Sequence, residues 1–259
     1  MLKKIIILFK LARKVAQSDI LNITSKFQKP PLIVKILFKV LSFSFTPKKN
    51  IDMNKDEGER LSSSLESMGT TFIKLGQFLA TRPDIIGEEL SKKLENLQDK
   101  LPPFSRSKAK EIIKNALGEE TFNSIIDLSE PVAAASIAQV HKAKINDNNI
   151  IKDVAIKILR PEIKKIFNEE IDAMMLFAFF VESLVKKTRR LKLVEVVFLL
   201  KEITNLEMDL RFEAAAANEY SENTKNDVGF RVPQIYWNFT SENVMTLDWV
   251  DGVSIRETE

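Results

Sequence analysis

The sequence predicts an α+β chain, and three observations carry that reading. Strand signals are confined to two stretches, residues 131–159 and 231–255. Helical periodicity fills most of what precedes and separates them. A charge asymmetry sets the first fifty residues apart from all that follow.

Composition narrows the classes. The chain has 259 residues, 44% apolar and 29% charged, which suits a folded protein with room for one large or two small domains. It has no cysteine and one histidine. Disulfides, cysteine nucleophiles and thiolate or multi-histidine metal sites are therefore excluded. The net charge of +3 conceals +10 over residues 1–50, where eleven Lys or Arg face the single acid Asp19, and hence −7 over the rest. A basic arm on an acidic body seeks an anionic surface. That arm carries no Trp or Tyr for base stacking, so anionic membrane lipid is expected and nucleic acid is not.

Taken in order, MLKKIIILFKLARKVAQSDIL has an apolar run cut short by Lys10 and no small-residue cleavage site, so it is not read as a signal peptide. After Pro30 and Pro31, LIVKILFKVLSFSF places Lys35 and Lys39 on one face of an otherwise apolar helix. Neither segment is long and apolar enough to span a bilayer, and both suit the membrane interface. Residues 56–83 read as one helix through Leu61, Leu65, Met68, Phe72, Leu75 and Leu79, with Thr70, Lys74, Gln77 and Thr81 opposite. A second helix is expected within 87–104, and a third over 105–117 that stops at Gly118.

Residues 131–159 read as a strand, a tight small-residue loop, a second strand, the turn Asn146-Asp147-Asn148-Asn149 and a third strand ending at Lys157. Alternation sends Val140, Lys142 and Lys144 to one side and Ala143 and Ile145 to the other. A lysine inside a β-branched run needs an anion or a carboxylate. Helix resumes after Arg160-Pro161, and Ile171–Val185 reads as buried. A basic turn, 186–192, leads into one long helix over 193–220, where Asp209 and Glu213 would share a face. The last stretch, 231–255, reads as two strands joined at 240–243. The partition expected is a basic arm (1–50), a helical extension (51–128) and a small sheet with helices (129–259).

Four motifs belong together. PVAAASIAQVHKA followed by VAIKILRP, KLGQFLATRPD, LQDKLPPF and LEMDLRFEAAAAN resemble the UbiB family, atypical kinase-like proteins of ubiquinone biosynthesis. The likeness runs from about Glu57 to Ile255. It implies a protein-kinase-like N-lobe, a small antiparallel sheet plus helices, carrying a family-specific helical extension. ATP with Mg²⁺ would be the ligand, and the activity an atypical kinase or ATPase. Lys157 would hold the α- and β-phosphates and Glu213 would orient it, with Glu207 a competitor for that pairing. Ala133, Ala134, Ala135 and Ser136 would form the loop over the phosphates, where ordinary kinases use glycine. Val140 and Ala155 would line the nucleotide, and backbone groups of Asp248 and Val250 would meet the adenine edge. Lys74, Gln77, Glu207 and Asp209 would form a regulatory set restricting protein phosphorylation.

The resemblance also implies partners among ubiquinone precursors or biosynthetic proteins, at the cytoplasmic face of the inner membrane. No His-x-Asp catalytic loop and no Asp-Phe-Gly occur in the sequence. The metal ligands those motifs supply are thus absent from it, and no other metal site is expected. A truncated chain or a naturally short paralogue would explain this. The alternative function is a non-catalytic pseudokinase scaffold that binds lipid or partner proteins of the pathway.

Overall fold

The structure, a computed structural model, describes residues 13, 56–95, 97, 101–184 and 186–253. The expected membrane-facing arm lies outside these residues apart from Arg13, as does part of the second helix at 98–100. Contacts divide the chain into two units, one of residues 1–99 and 164–204, the other of 100–163 and 205–259.

In the first unit, α1 (Glu57–Met68), α2 (Thr70–Ala80), α3 (Pro83–Ile86) and α4 (Glu88–Glu95) succeed one another. The single helix expected over 56–83 is broken. Gly69 sits at φ 108° and ψ −177°, a conformation that ends α1 and that side-chain-bearing residues rarely adopt. Asp56 caps α1 by accepting from the Glu59 N–H and pairs with Lys93 at 3.0 Å. Leu65, Met68, Phe72, Ile73, Leu94 and Leu97 are buried. Gly76 lets the helices close up: a Cβ there would stand 2.6 Å from Leu97 Cδ1 and 2.8 Å from Leu65 Cδ1.

The same unit holds most of α7 (Ile163–Leu184) and α8 (Leu193–Glu207), joined by a 3₁₀ turn, Lys186–Leu191. Glu182 accepts from the Val194 N–H at the start of α8, and Lys201 reaches Asp172 on α7 at 3.7 Å, so the two helices run antiparallel. Burial over 171–185 holds for one stripe only. Ile171, Ala173, Met174 and Ala178 are buried, whereas Phe179 and Phe180 are more than half exposed.

The second unit is built on a five-stranded antiparallel sheet of order β1-β3-β4-β5, with β2 also on β3. The strands are β1 (Ile125–Ile126), β2 (Pro131–Ala134), β3 (Ala138–Asp147), β4 (Ile150–Leu159) and β5 (Val244–Asp248). β4 continues two residues past Lys157. Asn148 and Asn149, at φ 52° and 65°, form the two-residue turn between β3 and β4, a left-handed pair that asparagine tolerates. His141, Ala143, Ile145, Val154, Ile156, Ile158, Val244 and Thr246 are buried. The apolar members pack with Ala109 and Ile113 of α5 (Arg106–Leu117) and with Tyr236 and Phe239. Ser105 caps α5 and Gly118 ends it, at the expected bounds. A short helix, α6 (Glu119–Asn123), precedes β1.

Two expectations fail here. The long helix over 193–220 breaks at Met208-Asp209, and α9 (Leu210–Asn223) begins anew with Asp209 as its N-cap. Of the two strands expected in 231–255, only β5 forms. The earlier stretch makes one bridge, Ile235 to Leu247, and then a 3₁₀ turn at Trp237–Phe239. Its side chains serve the core, and its backbone follows them rather than a ladder.

Candidate functional site

Period-two alternation puts a second set of residues on the opposite face of the same strands. Lys157 lies opposite Val140 of β3 and Met245 of β5, and Ala155 lies opposite Lys142 and Leu247. This face is only partly covered: Val140, Ala155, Lys157 and Leu247 are half-buried.

Above it stands α9. Its first residue is anchored by the Leu210 N–H donating to the Glu242 carbonyl at 3.0 Å, and Leu210 and Ala214 are buried. That anchorage presents Glu213, one turn in, to the sheet. Lys157 Nζ donates to both carboxylate oxygens of Glu213, at 2.6 and 2.7 Å. Of the two acids the sequence left open, Glu213 is the partner of Lys157. Glu207 ends α8, and Asp209 caps α9 by accepting from the Arg211 N–H and from the Arg211 guanidinium at 2.9 and 2.6 Å. Asp209 is therefore not on a helical face with Glu213. Lys74 and Gln77 are half-buried on α2 of the first unit.

The alanine loop follows from β2. Ala133 pairs with Val140 and Ala134 with Gln139, after a bulge at Val132. Ala135 N–H then donates to the Ala138 carbonyl, closing a tight turn. No residue from Ala133 to Ile137 has a positive φ, so this loop makes no demand for glycine. Ala133 is exposed, Ala134 and Ala135 are half-buried and Ser136 is fully buried. The serine hydroxyl thus faces the protein, and the loop offers its backbone and methyl groups.

Two side chains that sequence reasoning passed over hold the loop in place. Arg160, just past β4, donates Nε and Nη2 to the Ala135 carbonyl at 2.9 and 2.8 Å, and Nη1 to the Pro102 carbonyl at 2.9 Å. Gln139, fully buried, accepts from the Phe104 N–H and donates to the Phe104 carbonyl. Its amide also meets His141 Nε2 at 2.8 Å, and His141 Nδ1 meets the Ser129 carbonyl at 2.8 Å. Since the amide donates, the assigned network makes His141 a neutral ring with its proton on Nδ1. Burial lowers its pKa below 6.5, opposed by the Ser129 carbonyl and Glu130 and assisted by Arg106. The sequence signal for Arg160 was its place: a cation at the end of a strand, beside a loop of small residues whose carbonyls need donors.

At the far end of β5, the Asp248 carboxylate accepts from Tyr236 Oη at 2.6 Å, from Arg231 at 2.7 Å and from the Gln234 N–H at 3.2 Å. Burial opposes its ionisation, but these donors together hold its pKa below 3.8. Asp248 N–H donates to the Gln234 carbonyl and Trp249 N–H to the Asp153 carbonyl. Trp249 packs under Lys142, whose Nζ lies 4.7 Å from the ring centroid. A shallow cavity of about 160 Å³ beside Asp147, Gln234 and Trp237 does not include Lys157. Among the described residues no group of three or more His, Asp or Glu is placed to hold a metal ion.

The chain as a whole is similar to known proteins. Residues 96–259 match the family model of the ABC1 atypical kinase-like domain. A protein of Marinobacter nauticus named "Probable protein kinase UbiB" is 32% identical over 228 residues, covering 88% of this chain and 40% of that protein. Proteins of the same name from Actinobacillus pleuropneumoniae and Vibrio cholerae are 38% and 36% identical over 80% and 81% of this chain. The chain spans about two fifths of the length of these curated relatives.

Proposed function

We propose, for a chain that belongs to the UbiB family of ABC1 atypical kinase-like proteins, that the open face of its sheet binds ATP in support of ubiquinone biosynthesis. The observation that carries this is the two-pronged Lys157–Glu213 ion pair on a strand face where its near neighbours Val140, Ala155 and Met245 are apolar. Glu213 fixes the ammonium group where a triphosphate would meet it, the arrangement by which kinases prepare their strand lysine. Val140 and Ala155 supply a flat apolar surface for a purine ring. The Asp248 carbonyl and the Val250 N–H are the backbone groups for its polar edge, the Asp248 N–H being committed to Gln234.

The residues present suit a nucleotide better than a protein-held metal. The alanine loop, Ala133 to Ser136, keeps side-chain bulk away from a phosphate while Arg160 steadies the Ala135 carbonyl. Magnesium would arrive on the nucleotide's own phosphates. Kinase or ATPase turnover, action on ubiquinone precursors or their biosynthetic proteins, and the restriction exerted by Lys74, Gln77, Glu207 and Asp209 belong to this proposal for the whole protein.

Titration of the chain with a fluorescent ATP analogue tests the reading. Saturable binding that falls at least tenfold in Lys157→Ala is expected. Equal binding by both proteins would defeat it, and the scaffold alternative would then stand.

The basic arm is proposed to hold the protein on anionic lipid at the cytoplasmic face of the inner membrane. Among the described residues no helix is long and apolar enough to cross a membrane. Deleting residues 1–45 should weaken flotation with anionic vesicles.

A further inference from the structure

The α7–α8 pair ends in a feature that the nucleotide site leaves unused. Residues 186–192 read KKTRRLK, five cations and no acid. The turn is held by its own contacts: Arg189 Nε donates to the Glu182 carbonyl at 3.0 Å, satisfying an acceptor at the end of α7. Glu182, the acid nearest the turn, is engaged by the Val194 N–H at 3.1 Å, and Glu195 pairs with Lys192 at 2.9 Å. Lys186 and Arg190 point outward, both exposed.

Flanking this turn are large apolar side chains that the fold leaves in water. Phe179 and Phe180 are 59% and 51% exposed on α7, and Phe198 is 56% exposed on α8. They fall four to five residues from the helix ends at Leu184 and Leu193, or about 6–8 Å along the axes. An interfacial helix buries its apolar side about 5–10 Å into the headgroup and acyl boundary. A basic tip with a collar of phenylalanine at that depth matches an anionic bilayer in charge and in reach. Exposed aliphatic side chains continue farther along α8 at Leu199, Ile203 and Leu206, but the exposed phenylalanines and the cations of the turn share one end of the pair. The next acids, Asp172 and Glu202, lie farther back, and Asp172 is paired with Lys201.

We propose that the tip of the α7–α8 pair inserts into the headgroup region of an anionic membrane, with Phe179, Phe180 and Phe198 in the acyl boundary and Lys186 and Arg190 on lipid phosphates. This contact stands on the pair's own side chains and is separate from that of residues 1–50.

The full chain carrying Phe180→Trp, with the unsubstituted chain as baseline for Trp237 and Trp249, is mixed with vesicles. One set is phosphatidylcholine with phosphatidylglycerol; the other is phosphatidylcholine alone. The added indole should blue-shift and be quenched by shallowly brominated lipid with the anionic set only. K186E/R190E should lower partition about tenfold or more. Flotation of the chain with the added indole still in water would overturn the proposal and leave the arm as the contact. A blue shift that grows with protein concentration without vesicles would overturn it in favour of a second copy. Absence of any vesicle binding would also overturn it. Weakened flotation on deleting residues 1–45, with the added indole still quenched at high lipid, would support the tip as a contact that acts beside the arm.

Discussion

The two faces of the β3–β4–β5 sheet are made by alternate residues of the same strands, yet they differ in every physical respect. On one face Ile145, Val154, Ile156 and Ile158 are sealed against α5, and the polar exceptions, Gln139, His141 and Thr246, have hydrogen bonds met inside the protein. On the other, Val140, Ala155 and Lys157 remain partly open, and the charge of Lys157 is met by a single carboxylate from α9. The lesson is a division of labour at single-residue pitch: one face supplies the rigidity that lets the other hold a charged group in a fixed place.

The comparison predicts unequal costs. Ile156→Ala should have the largest effect on folding, about 2–5 kcal/mol in urea unfolding, because it opens a cavity in the sealed face. A loss under about 1 kcal/mol would mean that face is less well packed than its burial suggests.

Arg160→Ala comes next, at about 1–3 kcal/mol, since it strips donors from the Ala135 and Pro102 carbonyls. It should also weaken nucleotide binding by loosening the alanine loop. Unaltered affinity in a folded variant would confine Arg160 to a structural part.

His141 should make the sealed face sensitive to acid. Its folded pKa lies below 6.5 because burial disfavours the imidazolium. Below that value the unfolded chain takes up a proton that the folded chain refuses. Stability is thus fully present above pH 6.5 and declines as pH falls, by at most about 1.4 kcal/mol per unit. Comparing the slope with that of His141→Gln between neutral pH and the onset of carboxylate titration isolates this contribution.

The smallest change in stability belongs to Lys157→Ala, about 1 kcal/mol or less, because Glu213 is nearly half exposed and solvent screens the pair. That same variant is expected to lose the nucleotide. Destabilisation on the scale of Ile156→Ala would erase the distinction between the faces.

Much of this was legible in local sequence. The β3–β4 hairpin follows from alternation and an asparagine-rich turn, and both ends of α5 follow from Ser105 and Gly118. What escaped was of another kind. Gly69 and Asp209 interrupt helices whose apolar spacing runs straight through them. The periodicity was real, but Gly69 has a conformation its neighbours cannot share, and Asp209 turns its carboxylate to the Arg211 N–H as a cap. The expected strand before β5 failed because Ile235, Tyr236 and Phe239 are buried from an irregular backbone. Arg160 and Gln139 were illegible because their partners lie about 25 to 60 and 35 residues away in the chain.

By itself the sequence determined the α+β class, the strand that carries Lys157, the family motifs and the short list of acids that could meet that lysine. Those properties depend on residues a few positions apart, where periodicity and turn chemistry act. Only the tertiary structure chose Glu213 over Glu207, buried Ser136 within its loop, fastened that loop with Arg160 and left Phe179, Phe180 and Phe198 in water. Each of these rests on where distant segments come to lie, because a hydrogen bond or an apolar contact is decided by distance in space and not by spacing along the chain.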